Sequence, residues 1–510
     1  MPAEIELKLA IAPEHVDRLA RIPQLKAALR GRAVTRNLYS IYYDTPEFAL
    51  RDQGAALRLR RTGRHWIQTL KSGGRVEGGL HQREELETPL PAQILNYPVL
   101  ASSGAAPVLA DPELPLKLRP VFVTEFKRTS RELEPMPGSR LELCLDRGLV
   151  SAGEAQLPIS EIELELKSGS PVQLLDFALQ LLEHIPLRLE AASKAERGYA
   201  LASGAVAAPV KATAPLLLVP MSVAEAFRTV VFACIGHLQA NERGLLGTDD
   251  AEYLHQARVA LRRLRSALSV FNRAFPRALF EDQLVELRWL GGLLGPARDW
   301  DVFATETLPG VAAAFHDDDG LRGFTTRTAE LRAAANRAAQ EAVSSNRYTT
   351  LLVRLIGVFL REPWSQAVDE AAAVRARPLI EFTGAVLGRR HKKIVKTGRH
   401  LAQLDPAGLH ALRIDIKKLR YAAEFFSALY DRRQMRDYLS ALAALQELLG
   451  GLNDAATVER LMKPLREGNG GPSQLEAAGV VRGWTAAATR SRLDQLPQAW
   501  ERFRACAIFW

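Results

Sequence analysis

The stretch Glu4-Ile5-Glu6-Leu7-Lys8 alternates charged and apolar residues. Successive side chains of a strand point to opposite faces. A strand here carries Glu4, Glu6 and Lys8 on one face and Ile5 and Leu7 on the other. The pattern returns at Glu161-Ile162-Glu163-Leu164-Glu165-Leu166-Lys167. If both strands turn their acidic faces into one closed sheet, five carboxylates converge. Carboxylates at close range raise one another's pKa and need compensation. Oxygen-only ligands suit hard cations such as Mg²⁺ and Mn²⁺, and a metal that keeps several waters commonly also contacts substrate phosphates.

The rest of the first 200 residues reads as strands with turn punctuation. Asn37–Asp44 is rich in β-formers and stops at Thr45-Pro46. Ala56–Arg61, Trp66–Lys71, Leu80–Thr88, Val121–Glu134, Arg140–Val150 and Gln156–Lys167 complete the set. Roughly eight strands in antiparallel order are enough to close a barrel. Lys8, Arg58, Arg60, Lys71, Arg83 and Arg128 fall on the polar face together with Glu4, Glu6, Glu85, Asp146, Glu163 and Glu165. A barrel interior lined by both signs has to hold solvent, metal and an anion. The planar fork of Arg suits phosphate.

These residues carry a resemblance. Glu4-Ile-Glu6-Leu-Lys8, Tyr42-Tyr43-Asp44-Thr45, Leu57-Arg58-Leu59-Arg60, Thr69-Leu70-Lys71, Gly79-Leu80-His81-Gln82-Arg83, Glu161-Ile-Glu163-Leu-Glu165 and Ser193-Lys194-Ala195-Glu196-Arg197-Gly198-Tyr199 stand in one order. The set resembles a CYTH domain of the triphosphate tunnel metalloenzymes, of the bacterial inorganic triphosphatase type, over residues 1–202. The resemblance implies an eight-stranded antiparallel β tunnel that hydrolyses inorganic triphosphate to pyrophosphate and phosphate with Mg²⁺ or Mn²⁺. By position it implies metal ligation by Glu4, Glu6, Asp146, Glu163 and Glu165. It implies triphosphate binding by Lys8, Arg36, Arg58, Arg60, Lys71, Arg83, Arg128 and Lys194. Glu163, Glu165, Glu85 and Lys8 are the candidate catalytic groups, and which carboxylate is the base stays open.

Residues 203–220 hold Pro209, Pro215 and Pro220 among Ala and Val and show no helical or strand period. A semi-extended linker is expected there. The charge shifts at this point. Residues 1–200 contain 26 basic and 26 acidic residues, so the whole net charge of +9 lies beyond them. Such an excess points to an anionic partner.

From Met221 to Trp510 the pattern is helical and repeats itself. His255-x-x-Arg258-x-x-x-Arg262-Arg263-Leu264-Arg265 returns 155 residues later as His410-x-x-Arg413-x-x-x-Lys417-Lys418-Leu419-Arg420. Leu290-x-x-Leu293-Leu294-Gly295-x-x-x-Asp299 returns at the same offset as Leu445-x-x-Leu448-Leu449-Gly450-x-x-x-Asp454. A shared offset makes a duplicated helical unit the best explanation. On a helical wheel each copy sets a basic face beside an apolar one. Arg389, Arg390, Lys392 and Lys393 lie on a further basic helix. This half resembles a CHAD domain. The resemblance implies two pseudo-symmetric helical bundles that bind long-chain polyphosphate without turnover. The candidates are His255, Arg258, Arg262, Arg263, Arg265, Arg390, Lys393, His410, Arg413, Lys417, Lys418 and Arg420.

The expected class is α+β multidomain, with domains at 1–202 and 221–510. Within the tunnel family the alternatives are a nucleoside- or thiamine-triphosphatase, or a class IV type adenylate cyclase. A non-catalytic polyphosphate-binding protein is the alternative of another class. A base-stacking aromatic set is not evident, which argues against nucleosides. The basic helices lack the interleaved aromatics that single-stranded nucleic acid calls for. Cys144, Cys234 and Cys506 show no metal or disulfide spacing. No apolar run approaches the ~20 residues of a membrane helix. A cytoplasmic location is expected, with polyphosphate granules as a candidate association.

Overall fold

The computed structural model describes residues 4–205, 207–315, 318–366, 370–467 and 472–510. The chain divides into two compact units. One contains residues 1–208 and Ser344–Glu362; the other contains Pro209–Val343 and Pro363–Trp510.

In the first unit the alternating stretches become β1 (Glu4–Ile11), β2 (Leu29–Asp44), β3 (Ala56–Thr62), β4 (His65–Glu77), β5 (Leu80–Leu90), β6 (Arg119–Leu133), β7 (Arg140–Ala152) and β8 (Ala155–Ser168). Their order is β5-β4-β3-β2-β6-β7-β8-β1, and β1 pairs back onto β5. Every pairing in this ring is antiparallel, so eight strands close a barrel. A closed sheet leaves no edge to pair with other chains. A short ninth strand, β9 (Leu187–Leu189), joins β1 at Leu9–Ile11, beyond the stretch that β5 covers.

The pleat sorts the residues as the alternation requires. Leu7, Leu9, Ile162 and Leu164 are fully buried on the outer face of the barrel. The helix Pro171–Leu182 packs on β1 and β8 there and buries Leu174, Leu175, Phe177 and Leu181. Its start is set by a capping box, in which Ser170 and Gln173 satisfy each other's backbone N–H groups.

A second helix on this unit comes from the far half of the sequence. Asn346–Arg361 packs against Pro171–Leu182 and β9. Asn346 Nδ2 donates to the carbonyls of Leu182 (2.7 Å) and Ile185 (3.0 Å), and Asn346 Oδ1 accepts from Leu187 N (3.0 Å). One amide thus satisfies the end of one helix and the start of β9, and the contacts place Ser344–Glu362 with the barrel, although the segment lies within the range 221–510 assigned above to the helical half.

The second unit is helical. Its first helices are Val223–Gly247, Ala251–Val270 and Glu281–Val302. The two basic motifs lie on Ala251–Val270 and Pro406–Phe425, whose bounds coincide at the offset of 155, and these two helices pack against each other. The core is aromatic: Phe227 stacks on Phe271 and Phe275, and Phe271 stacks on Phe382. Part of the linker segment belongs here, because Val210 O lies 2.9 Å from His237 Nε2 and accepts from Asn241 Nδ2 at 3.0 Å. No helix among the described residues is long and apolar enough to cross a membrane.

Candidate active site

The barrel encloses a cavity of about 300 Å³. Glu4, Glu6 and Lys8 reach it from β1, Arg58 and Arg60 from β3, and Lys71 from β4. Arg83, Glu85 and Glu87 reach it from β5, Arg128 from β6, and Glu163 and Glu165 from β8. Each strand contributes alternate positions, the consequence of a period of two on a closed sheet.

Lys194 enters differently. It is the first residue of the helix Lys194–Ser203, which Ser193 and Glu196 start with a capping box. A Cβ at Gly198 would lie 2.1 Å from the Phe122 ring, so only glycine lets this helix come so close to β6. The approach brings the Lys194 ammonium to 2.6 Å from Asp146 and 2.9 Å from Glu163, and into a hydrogen bond with Glu161. Arg197, on the same helix, donates to the other oxygen of Glu161. Arg128 donates to both oxygens of Asp146 (2.8 and 2.6 Å) and to Glu163.

The carboxylates therefore fall into two groups. Asp146, Glu161 and Glu163 lie close enough to share one ion. Their shared cation is the Lys194 ammonium, supported by Arg128, Arg197 and Lys8. Burial works against the charge on Glu163, yet Lys194, Lys8 and Arg128 hold its carboxyl well below the usual range. Burial also opposes the charge on Lys8, and Glu163 and Glu6 hold its ammonium above its ordinary value. The second group shares its cations: Glu6 has Lys8 (2.7 Å) in common with Glu163, Glu4 has Lys71 (2.8 Å) in common with Glu85, and Glu165 pairs with Lys167 (2.5 Å). Glu6 and Glu165 are direct partners across β1 and β8. Like charges directly opposite on a sheet destabilise it. Burial pushes the Glu165 carboxyl up, and Glu4 adds to the effect. Glu4, Glu6, Glu163 and Glu165 all face one cavity, and this oxygen-only set suits a hard divalent cation.

The cationic wall is preset for an anion. Lys71 bridges Glu4 (2.8 Å) and Glu85 (3.0 Å), and Arg58 reaches Glu85 at 3.1 Å. Burial, with Arg58 and Arg128 nearby, pushes the Arg60 guanidinium down to about 10, as expected where cations crowd. Tyr42 is the one aromatic side chain among the described residues of the wall. Its ring is stacked on Phe122, with centroids 4.4 Å apart.

A second basic cavity, of about 420 Å³, lies in the helical unit. Arg262 and Arg265 line it from the first motif helix, Lys417 and Lys418 from the second, and Arg277 and Arg288 from the segment between Val270 and Val302. No carboxylate is among its lining residues. Ser269, Asn272 and Lys418 also line a neighbouring cavity, with Arg389, Arg390, Lys393 and Asp415.

The chain matches the CYTH domain family over residues 2–199 and the CHAD domain family over residues 229–463. This is a CYTH domain joined to a CHAD domain. An inorganic triphosphatase of Haemophilus influenzae is 39% identical to the chain over 206 residues, 40% of this chain and 56% of that protein. The chain thus spans little more than half of that relative's length. An uncharacterised protein of Mycobacterium tuberculosis is 27% identical over 429 residues, 76% of either chain. The crystal structure of a CHAD domain from the plant Ricinus communis is 34% identical, covers 59% of this chain and 99% of that one, and has a TM-score of 0.52.

In the CYTH domain the sequence-expected residues gather at the cavity, with two exceptions. Arg36 is exposed and does not line the wall. Asp146 is fully buried behind the wall, with both oxygens taken by Arg128 and Lys194. Glu161 and Arg197 were inside the recognised motifs but had no assigned role; the face they share with Glu163 and Lys194 was the available signal. In the CHAD domain Arg263 turns inward. It donates to Thr213 O (2.9 Å), lies over the Phe425 ring (5.2 Å) and is 5% exposed. Arg420 pairs with Glu424, Lys393 with Asp415, and Arg258 with Asp299 at 3.5 Å. Arg390 donates to Ser269 O, and Arg413 is half-buried. His410 is exposed, and His255 is half-buried with its pKa lowered by burial and then by Arg298. Arg277 and Arg288 carried no repeat signature and emerge only from the packing.

Proposed function

We infer that the CYTH domain hydrolyses inorganic triphosphate to pyrophosphate and phosphate. The observation that carries this reading is the directly opposed carboxylate pair Glu6–Glu165 and a cationic wall in one enclosed cavity. A mere anion receptor has no use for the carboxylates. The relative from Haemophilus influenzae supports the substrate, as does a wall whose single aromatic ring is already stacked within the protein.

Glu4, Glu6, Glu163 and Glu165 would hold the metal, Mg²⁺ or Mn²⁺, which when bound offsets phosphoryl charge and lowers the pKa of water. The chain's own residues do the rest. Lys8, Arg58, Arg60, Lys71, Arg83, Arg128 and Lys194 neutralise the phosphates and keep the chain of three in line. Charge that builds on the leaving pyrophosphate meets guanidinium groups already oriented for it, so little reorganisation is needed as the bond breaks. Water attacks the terminal phosphorus, the P–O bond to pyrophosphate breaks, and one proton leaves the water. Glu163 is engaged by three cations and Glu85 by two, whereas Glu165 bonds only Lys167 at the rim (2.5 Å). Of the three candidate bases, Glu165 is therefore the one with an oxygen to spare for that proton.

The CHAD domain supplies a binding site for long-chain polyphosphate. Six cations around one cavity without a lining carboxylate support it. Retention of the protein on polyphosphate granules in the cytoplasm follows from that reading.

The deciding experiment measures phosphate release with Mg²⁺ or Mn²⁺ from triphosphate, ATP, thiamine triphosphate and long-chain polyphosphate. Fast release from triphosphate alone is expected. Release from none of them overturns the catalytic reading and leaves a binding protein.

A further inference from the structure

Asp301 is fully buried in the helical unit, near the end of the helix Glu281–Val302. Its Oδ1 accepts from Arg332 Nε at 2.6 Å and from Asn336 Nδ2 at 3.2 Å. Its Oδ2 is buried without a hydrogen-bond partner, and so is Asn336 Oδ1. Two such oxygens at one cavity point to a guest, because burial strips a polar atom of its water partner. Both residues line one cavity of about 30 Å³. That is room for a single small guest.

The cavity is acidic in a protein with a net charge of +9. Asp249 and Asp250 line it together with Asp301, and no Lys or Arg among the described residues does. Arg332 offsets the first carboxylate, and Asp250 Oδ1 caps the helix Ala251–Val270 through Glu252 N (2.9 Å). Asp249 is exposed at the mouth of the lining, and Asp301 Oδ2 is left without a partner among the described residues. The Thr248 hydroxyl donates to Gly244 O at 2.9 Å and accepts from Asp250 N at 3.3 Å, which fixes the loop that lines the cavity. Just beyond Asp301 the backbone widens into a π-helical turn, Phe303–Thr307. Such turns are frequent at functional sites.

We propose that Asp301, Asn336 and Asp249 form a divalent-cation site, distinct from the tunnel, that takes Ca²⁺. The donors are all oxygens, from two carboxylates and an amide. Ca²⁺ accepts such an irregular set, whereas Mg²⁺ demands octahedral geometry and releases its waters reluctantly. The site joins the loop after Val223–Gly247 to the start of Ala251–Val270, to the end of Glu281–Val302 and to the helix Asp319–Ser344. A bound ion would brace the helix that carries His255, Arg258 and Arg262.

The test is calorimetric titration of the full chain with Ca²⁺, with thermal unfolding recorded alongside. The Glu6→Gln background weakens the tunnel's own metal binding. In that background one Ca²⁺ site is expected to remain and to raise the unfolding temperature. Asp301→Asn, which keeps an oxygen for Arg332, should abolish both signals. Asp249→Asn, at an exposed position, should weaken binding at least tenfold and decides the matter if Asp301→Asn does not fold. No Ca²⁺ binding up to the millimolar range, or binding unchanged in both variants, overturns the proposal and assigns the cavity to an ordered water.

Discussion

The ammonium of Lys194 lies 2.9 Å from Glu163 inside the barrel, although Lys194 belongs to no strand. A helix packed on β6 inserts it between three carboxylates. The charge balance of the tunnel thus depends on a residue outside the strands.

Removing that ammonium isolates buried negative charge. Lys194→Met is expected to cost about 3–5 kcal/mol, the usual penalty for breaking a buried pair from one side. Urea unfolding reads it directly. Adding Glu161→Gln should restore much of the stability while triphosphate turnover stays low. Equal stability of Lys194→Met and wild type would show that Arg128 and Arg197 suffice.

Glu6 faces Glu165 across two strands and the cavity on the other side. Glu6→Gln removes one ligand charge and should lower metal affinity by more than about tenfold. Phosphate release should fall with it, while the circular dichroism spectrum stays the same. Raising Mn²⁺ should recover part of the rate, and a rate independent of Mn²⁺ would contradict ligation by Glu6.

In the helical half, Arg265→Ala with Lys418→Ala removes one cation from each motif helix at the shared cavity. A hydrogen bond to a charged group contributes about 1.5–3 kcal/mol, so polyphosphate affinity should fall by about tenfold or more. Triphosphate turnover should not change. Arg263→Ala should behave in the opposite manner. Its guanidinium holds Thr213 O and covers Phe425, so the loss should appear in unfolding and not in binding. Binding titrations and melts of the three proteins separate these outcomes.

Acidification should loosen the segment after residue 208. Burial lowers the pKa of His237 from its ordinary 6.5. A depressed folded-state pKa means that the unfolded chain takes up the proton first as the pH falls. The contribution of His237 is therefore complete above pH 6.5 and is lost below it. Between pH 7.5 and 5.5 the wild type should lose more thermal stability than His237→Gln. Parallel losses in the two proteins would show that the histidine is not the sensor.

Much of this was legible in the chain, for identifiable reasons. A strand that lines a polar cavity must alternate, so Glu4-Glu6-Lys8 and Glu161-Glu163-Glu165 exposed both the barrel and its chemistry. The duplication was legible because insertions had not disturbed the 155-residue offset. What stayed hidden depends on neighbours distant in sequence. Arg262 and Arg263 look alike in a motif, yet one helical step of 100° sends one to a cavity and the other to the core. Asp146 reads as one more tunnel carboxylate until Arg128 and Lys194 are seen to occupy it. The helix Asn346–Arg361 shows a clear apolar face, but an apolar face does not say what it will cover.

That helix carries a lesson about inheritance. The barrel's outer layer is written in two places, before residue 208 and again at 344–362, with more than a hundred residues of the other unit between them. A gene fragment that ends after the tunnel strands encodes a closed barrel whose outer helix Pro171–Leu182 lacks the cover of Asn346–Arg361. An exchange of the whole helical half for a foreign one would bring a segment unfitted to Leu182, Ile185 and Leu187. A cut of the chain at residue 208 therefore separates Asn346–Arg361 from the helix and strand it packs on.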